Sequence, residues 1–205
     1  MTKTNQQKVK DFLINNGVII VMFILVIYTG FTSDNFFTKN NFMNILMNMS
    51  SRLVIALGIA GCVITAGCDL SAGRMIGFGA CISGMLLQRM DYSGKFFPDM
   101  QPLNVFVVAL IAMLVCAAFG TGTGFFIAYL NVPPFIATLA MMEIVYGIGL
   151  IVTNATPLGG YVEQYTNVSN GKFLGINYLI WIAIIVAAIT WFIFNMTRHG
   201  KYMYA

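Results

Sequence analysis

The feature that most restricts the fold is a polar, glycine-rich interruption at residues 65–79, which separates two uncharged apolar runs. Residues 53–68 and 75–88 carry no charged side chain. As helices at ~1.5 Å per residue they span about 24 and 21 Å, less than the roughly 30 Å hydrocarbon core. Joined as one helix they would reach about 54 Å, far more than one crossing needs. The chain must therefore turn or break near Asp69.

This interruption is predicted to face water rather than lipid. Gly67, Gly73 and Gly77 let the backbone turn there, but a broken backbone at membrane depth is tolerated only beside protein or a water-filled cavity. Residues 69–74 are therefore expected to line a polar pathway. The alternative is a self-satisfied hairpin tip, in which Asp69 accepts hydrogen bonds from Arg74 and from backbone amides.

Composition places the interruption in a membrane protein. Of 205 residues, 59% are hydrophobic and only 9% charged, and the mean hydropathy is +0.81; an ordinary soluble domain is about a quarter charged. The sequence predicts an all-α, polytopic helical membrane protein. The net charge of +4 is too small to favour nucleic-acid binding. Without a C-x-x-C pair, and with the single histidine distant from the cysteines, no metal or redox site is predicted.

The uncharged runs predict about six transmembrane helices, with the break at residues 69–74 between helices two and three. Proline removes a backbone donor and biases its predecessor away from helix, so Pro133 and Pro134 divide the uncharged run between Asp99 and Glu143. Ser71 is a candidate N-cap for helix three. Six helices are predicted. The first covers residues 12–33, the second runs from Phe42 or Ile45 to about residue 67, and the third covers residues 71–88. The fourth follows a loop that ends at Asn104 and runs to Leu130, the fifth runs from Pro134 or Phe135 to about residue 154, and the sixth covers residues 173–197.

The predicted domain organisation follows from these helices. Residues 1–11 form an amino-terminal tail, residues 12–197 a single transmembrane domain, and residues 198–205 the start of a further loop. An even number of crossings leaves both termini on one side, and the lysines ahead of helix one favour the cytoplasm as that side.

Glu143 is a second candidate for a functional residue. A carboxylate inside predicted helix five is energetically costly to place in hydrocarbon, so its presence there suggests function. It lies about 12 to 14 Å along that helix. One interpretation is contact with a polar solute. The other is a structural carboxylate that is paired with Arg52 or Arg74, or held neutral.

Small and polar residues complete the candidate set. Gly73 with Gly77, and Gly120 with Gly124, have the spacing that lets membrane helices approach closely. Thr121 and Thr123 could turn hydroxyls toward a polar pathway. The residues expected to line that pathway are Thr65, Asp69, Ser71 and Asn131, with Glu143 added under the first of its two interpretations. Since no set of nucleophile, base and oxyanion donors is present, the chain is not expected to be an enzyme.

Several ordered motifs resemble those of one transport family. They comprise residues 65–73 (Thr-x-Gly-x-Asp-Leu-Ser-x-Gly), residues 128–139, Tyr146-Gly147, and residues 195–200 (Asn-x-Thr-Arg-x-Gly). From about Asn41 onward the sequence resembles the permease subunits of bacterial carbohydrate ABC importers of the ribose and galactose type, most of all the galactose/methyl-galactoside branch.

The resemblance implies a multi-pass permease of the cytoplasmic (inner) membrane that imports a monosaccharide. It implies a second permease copy, a partner subunit that binds and hydrolyses ATP, and an extracytoplasmic sugar-binding protein, with no cofactor on this chain. Family members are longer, so a truncated chain is expected, and Glu143 stands where they have a neutral residue. Two alternatives remain: an ion-coupled secondary transporter, suggested by the broken helix and buried carboxylate, and a non-transporting membrane scaffold.

Overall fold

The computed structural model describes residue 14 and residues 16–204. In this part of the chain there are eight helices and one small antiparallel hairpin, which agrees with the predicted all-α class. The elements are α1 Gly17–Thr32, α2 Lys39–Ile64, α3 Ala72–Leu86, α4 Val105–Leu130, α5 Pro134–Thr153, α6 Glu163–Asn170, β1 Lys172–Phe173, β2 Ile176–Asn177, α7 Tyr178–Met196 and α8 Arg198–Tyr204.

Four of the described helices are long and apolar enough to cross a membrane: α2, α4, α5 and α7. The prediction of about six crossings counted two more, but α1 and α3 are shorter apolar helices in the described residues. Helix α3 has 15 residues and is only about 22 Å long. It is thus shorter than the roughly 30 Å hydrocarbon core, and it begins directly after the break.

The core is built around this short helix. The chain divides into two compact units, one ending at Asn48 and the other beginning at Met49. In the second unit α3 packs against α4 and α5, and its buried Phe78 makes an edge-to-face contact with Phe119 of α4, the ring centroids being 5.6 Å apart. Val145 of α5 is completely buried against them. Other helices bury few side chains, as expected where lipid is the solvent.

The predicted division between helices four and five is confirmed. Helix α4 ends at Leu130 and α5 begins at Pro134. Asn131 adopts a left-handed conformation (φ 53°, ψ 31°) after the last turn of α4, and its backbone N–H donates to the carbonyl of Phe126. Asparagine tolerates this conformation better than most residues. The sequence therefore ends one helix with asparagine and starts the next with proline.

On the opposite side of this core, one buried glutamine ties two loops together. Gln88 is 1% exposed; its side-chain amide donates to the carbonyl of Gly159 at 3.0 Å and accepts from the backbone N–H of Phe96 at 2.7 Å. Next to it, Arg89 donates its backbone N–H to the carbonyl of Gly160. The segments 87–104 and 154–162 consequently lie on the same side of the bundle.

The segment before α7 departs from the sequence expectation. The sequence predicts no helix between about residue 154 and residue 173, where the last helix was expected to start, but the structure has α6, a two-stranded hairpin, and only then α7 at Tyr178. Leu174 and Gly175 have positive φ values of 53° and 77°, so the chain reverses before the helix can start. Residues 198–204, expected to be a loop, form α8. The predicted tail at residues 1–11 lies outside the described residues.

Candidate functional site

The predicted break is present, but it lies at residues 65–71, between the end of α2 and the start of α3, and not at residues 69–74, because α3 already begins at Ala72. Helix α2 ends because Ala66 takes a left-handed conformation (φ 56°), while the N–H of Gly67 donates to the carbonyl of Cys62 at 2.8 Å. The hydroxyl of Thr65 donates back to the carbonyls of Gly61 and Cys62, each at 3.1 Å. The glycines were expected to supply the turn, but an alanine occupies its left-handed position.

Asp69 shapes the entry to α3. Its Oδ1 accepts two hydrogen bonds from Ser71, one from the backbone N–H at 2.9 Å and one from the hydroxyl at 2.6 Å. Ser71 precedes α3 as expected, but its backbone is already helical (φ −76°, ψ −21°) and its side chain makes no capping hydrogen bond to the helix. The other carboxylate oxygen accepts no hydrogen bond from residues 16–204.

These residues open onto a cavity of about 320 Å³ between the break and the facing parts of α4 and α5. Asp69 is the only charged side chain among the described residues that line it. The lining residues are Cys62, Thr65, Gly67, Cys68, Asp69, Ser71, Gly120, Thr123, Gly124, Ile127, Pro134 and Thr138.

The polar lining presents mainly hydrogen-bond acceptors. Thr123 and Thr138 are buried, and each donates its hydroxyl proton to a carbonyl of its own helix, at 3.1 Å to Phe119 and 2.8 Å to Pro134. Thr65 does the same at the end of α2. Because a hydroxyl that has donated its proton keeps its lone pairs, the cavity offers oxygen acceptors and one carboxylate. That chemistry suits a ligand rich in hydroxyl donors, or a cation.

Arg74 lies apart from this cavity. Its guanidinium stacks over the ring of Tyr146 with 4.0 Å between the guanidinium carbon and the ring centroid. The two residues line a smaller cavity of about 180 Å³ between α3 and α5, together with Gly77 and Cys81. The alternative in which Arg74 donates to Asp69 is therefore not observed.

Glu143 and Asn131 are the two predicted pathway residues that the structure does not bring to the cavity. Glu143 is exposed on α5 and makes no ion pair with Arg52, Arg74 or any other residue in the described part of the chain. Asn131 is exposed at the end of α4, where its backbone conformation ends the helix. Both assignments remain predictions.

The glycines predicted for helix packing have open space around them. Nothing in the described chain lies within 4 Å of a Cβ added at Gly73, Gly77, Gly120 or Gly124. Gly120 and Gly124 instead widen the cavity. No close helix crossing through these four positions is seen within residues 16–204.

Sequence reasoning missed one buried hydroxyl of the cavity, that of Thr138. A usable signal was its position one helical turn after Pro134, which places the two residues on the same face of α5. Thr123 was predicted, together with Thr121, to turn a hydroxyl toward the pathway, and the structure places Thr123 in the cavity lining. Among the described residues no group of histidine, cysteine or carboxylate side chains could hold a metal ion.

Comparison with known proteins gives a consistent result. Residues 41–205 match the family described as branched-chain amino acid transport system / permease component. The chain is 37% identical over its whole length to the galactose/methyl galactoside import permease protein MglC of Escherichia coli, covering 63% of that protein. It is 38% identical to the protein of the same name from Haemophilus influenzae, again covering 63% of it.

A second group of relatives carries another sugar in its name. The ribose import permease protein RbsC of Escherichia coli is 30% identical over 96% of this chain and 59% of its own length. The chain thus spans about 60% of the length of these curated relatives. No solved structure matches it. Because the family match covers most of the sequence, the chain belongs to this family of transport-system permeases.

Proposed function

We propose that the chain forms the membrane-spanning part of an ATP-driven sugar importer, in which a monosaccharide passes the cavity between α2, α4 and α5. The observation that carries this proposal is the cavity itself. It combines one carboxylate with threonine oxygens at a helix break, in a chain that resembles permeases named for galactose and ribose import. Galactose or a methyl galactoside is the proposed substrate, since those relatives are the more similar in sequence.

The proposed mechanism uses alternating access and no chemistry on the sugar. The cavity's oxygens would accept hydrogen bonds from sugar hydroxyls in place of water. A partner subunit would bind and hydrolyse ATP, an extracytoplasmic sugar-binding protein would deliver the sugar, and a second permease copy would complete the pathway. The complex would lie in the cytoplasmic membrane with both termini of this chain in the cytoplasm.

An ion-coupled secondary transporter is the second candidate, favoured by the partly buried carboxylate at a helix break. Uptake of labelled galactose should be measured with the chain and the adjacent importer subunits, with and without the ATP-binding subunit. We expect uptake to stop without that subunit. With the subunit present, the uptake rate should not depend on proton or sodium gradients. Uptake that persists without it and follows an ion gradient would overturn the importer proposal.

A second measurement separates the importer from a non-transporting scaffold. The chain should co-purify with the ATP-binding subunit in detergent, and a Walker-A lysine variant of that subunit should still bind while uptake is lost. If the chain and the subunit do not associate, ATP hydrolysis cannot be coupled to transport through this chain, and the importer proposal is wrong.

A further inference from the structure

The hairpin before α7 carries an apolar tip that its fold does not explain. Leu174 is 79% exposed and has a left-handed backbone (φ 53°), and its neighbour Phe173 is 55% exposed. The next residue, Gly175, also has a positive φ. Two-residue turns of this kind favour asparagine or aspartate before the glycine, and a bulky residue there is strained. Folding alone would favour a polar residue at position 174.

The hairpin is held rigidly to the start of α7. Asn177 is buried; its side-chain amide donates to the carbonyl of Ser169 at 2.6 Å, while its Oδ1 accepts from the backbone N–H of Leu179 at 2.8 Å. The backbone N–H of Tyr178 also donates to the carbonyl of Gly171. Since one side chain fixes α6 and caps α7 together, the tip keeps a defined position relative to the spanning helix.

Trp181 shows the level at which the tip lies. Its indole N–H donates to the carbonyl of Phe173 at 3.3 Å, and the two rings meet edge to face with centroids 6.2 Å apart. Trp181 comes three residues after Tyr178, about 4.5 Å down the axis of α7. Phe173 is therefore beside the first turn of the helix, not above it. In a helix long enough to span, that turn lies at the membrane interface, where tryptophan is enriched.

We propose that this hairpin is a membrane-interface anchor, with Phe173 and Leu174 inserted at the boundary between headgroups and acyl chains. The partner is the lipid bilayer, because Phe173 contacts Trp181 at the start of a helix whose apolar side chains, among them Ile182 and Ile185, are exposed. Lys172 is exposed and precedes Phe173 in the strand, so its side chain points to the other face of the strand. From there its ammonium can reach lipid phosphates while the apolar tip is in the acyl region.

Tryptophan fluorescence tests the anchor directly. The chain has two tryptophans. The test variant replaces both of them, by Trp181→Phe and Trp191→Phe, and adds Phe173→Trp, so that its only indole is at the tip. The full chain is reconstituted in phosphatidylethanolamine/phosphatidylglycerol vesicles that contain lipids brominated at shallow or deep acyl positions. We expect blue-shifted emission, strong quenching by the shallow bromines, weaker quenching by the deep ones, and resistance to acrylamide.

Two variants in that background serve as matched controls. Leu174→Asn suits the left-handed turn and removes the apolar group, so the hairpin should persist while quenching by the shallow bromines is lost. Val168→Asn replaces an exposed apolar residue on α6, away from the tip, and should change nothing. Acrylamide quenching of the indole at position 173 would place the tip in water and overturn the proposal. Protection from both acrylamide and bromolipid would indicate a protein cover and overturn it equally.

Discussion

At the residue scale, the charge of Asp69 is separable from its structural role. Asp69→Asn keeps an oxygen that can accept from Ser71, so the turn at the break should survive. The variant removes the only charge among the described residues lining the cavity, and hydrogen bonds to charged groups are the stronger ones. We expect sugar uptake to fall by about tenfold, the equivalent of ~1.4 kcal/mol, with unchanged protein in the membrane.

The matched control is Asp91→Asn in the exposed loop after α3, where the carboxylate lies 3.6 Å from the Arg89 guanidinium and 74% of the side chain is exposed. This variant should transport normally. If Asp69→Asn also transports normally, Asp69 is a structural residue and its charge has no part in the proposed pathway.

Ala66 provides a second test at this scale, because an L-residue in the left-handed conformation costs ~1–2 kcal/mol. Ala66→Gly should leave the stability unchanged or raise it slightly, whereas Ala66→Val, with its branched Cβ, should lower it by at least ~1 kcal/mol. Thermal unfolding in detergent measures both. Ala137→Gly inside α5 should destabilise by ~1 kcal/mol; equal losses for the two glycine variants would contradict the left-handed assignment.

At the scale of elements, the sequence predicted helix ends well where local chemistry determines them. Asn131 and Pro134 mark the end of α4 and the start of α5, and the break near Asp69 followed from the lengths of uncharged runs. Gln88 and the hairpin at Leu174 were not predictable. Their conformations depend on partners far along the chain, such as Gly159, or on a left-handed leucine that propensity disfavours. Cavity lining by Thr138 likewise required knowing which helices pack together.

The hydrogen bonds by which Gln88 connects the loops 87–104 and 154–162, here called the Gln88 clamp, allow a test at the scale of elements. Gln88→Ala leaves the N–H of Phe96 and the carbonyl of Gly159 without their partner in a partly buried site. An unsatisfied buried group costs ~1–3 kcal/mol, so thermal stability in detergent should fall clearly, and protease should cut the loops 87–104 and 154–162 sooner. The exposed Gln101 offers a control: if Gln101→Ala costs as much as Gln88→Ala, the clamp does not stabilise the fold.

At the scale of the whole molecule, the contacts divide the second unit into two sides. Gln88 holds the loops 87–104 and 154–162 together on one side. Helix α7 then has 19 residues, a length of about 28 Å that reaches the opposite side. There α8 packs near the end of α2, since a Cβ added at Gly61 would lie 2.8 Å from the Cε of Met203. Since α2 ends at the helix break, the break lies on the same side of this unit as α8.

This arrangement predicts which positions react from which compartment. The background is a chain whose four cysteines are changed to alanine. In this background, the single variants Ser93→Cys and Gln164→Cys should both react with a membrane-impermeant maleimide applied to intact cells, because both positions lie on the side of the two loops that Gln88 connects. Lys201→Cys on α8 should label only after the membrane is opened, which would also place the carboxyl-terminal end in the cytoplasm. All three positions are exposed, so a failure to react reports the membrane barrier and not burial in protein. Labelling of positions 93 and 201 from the same compartment would require α7 not to cross, and the two-sided arrangement would be wrong.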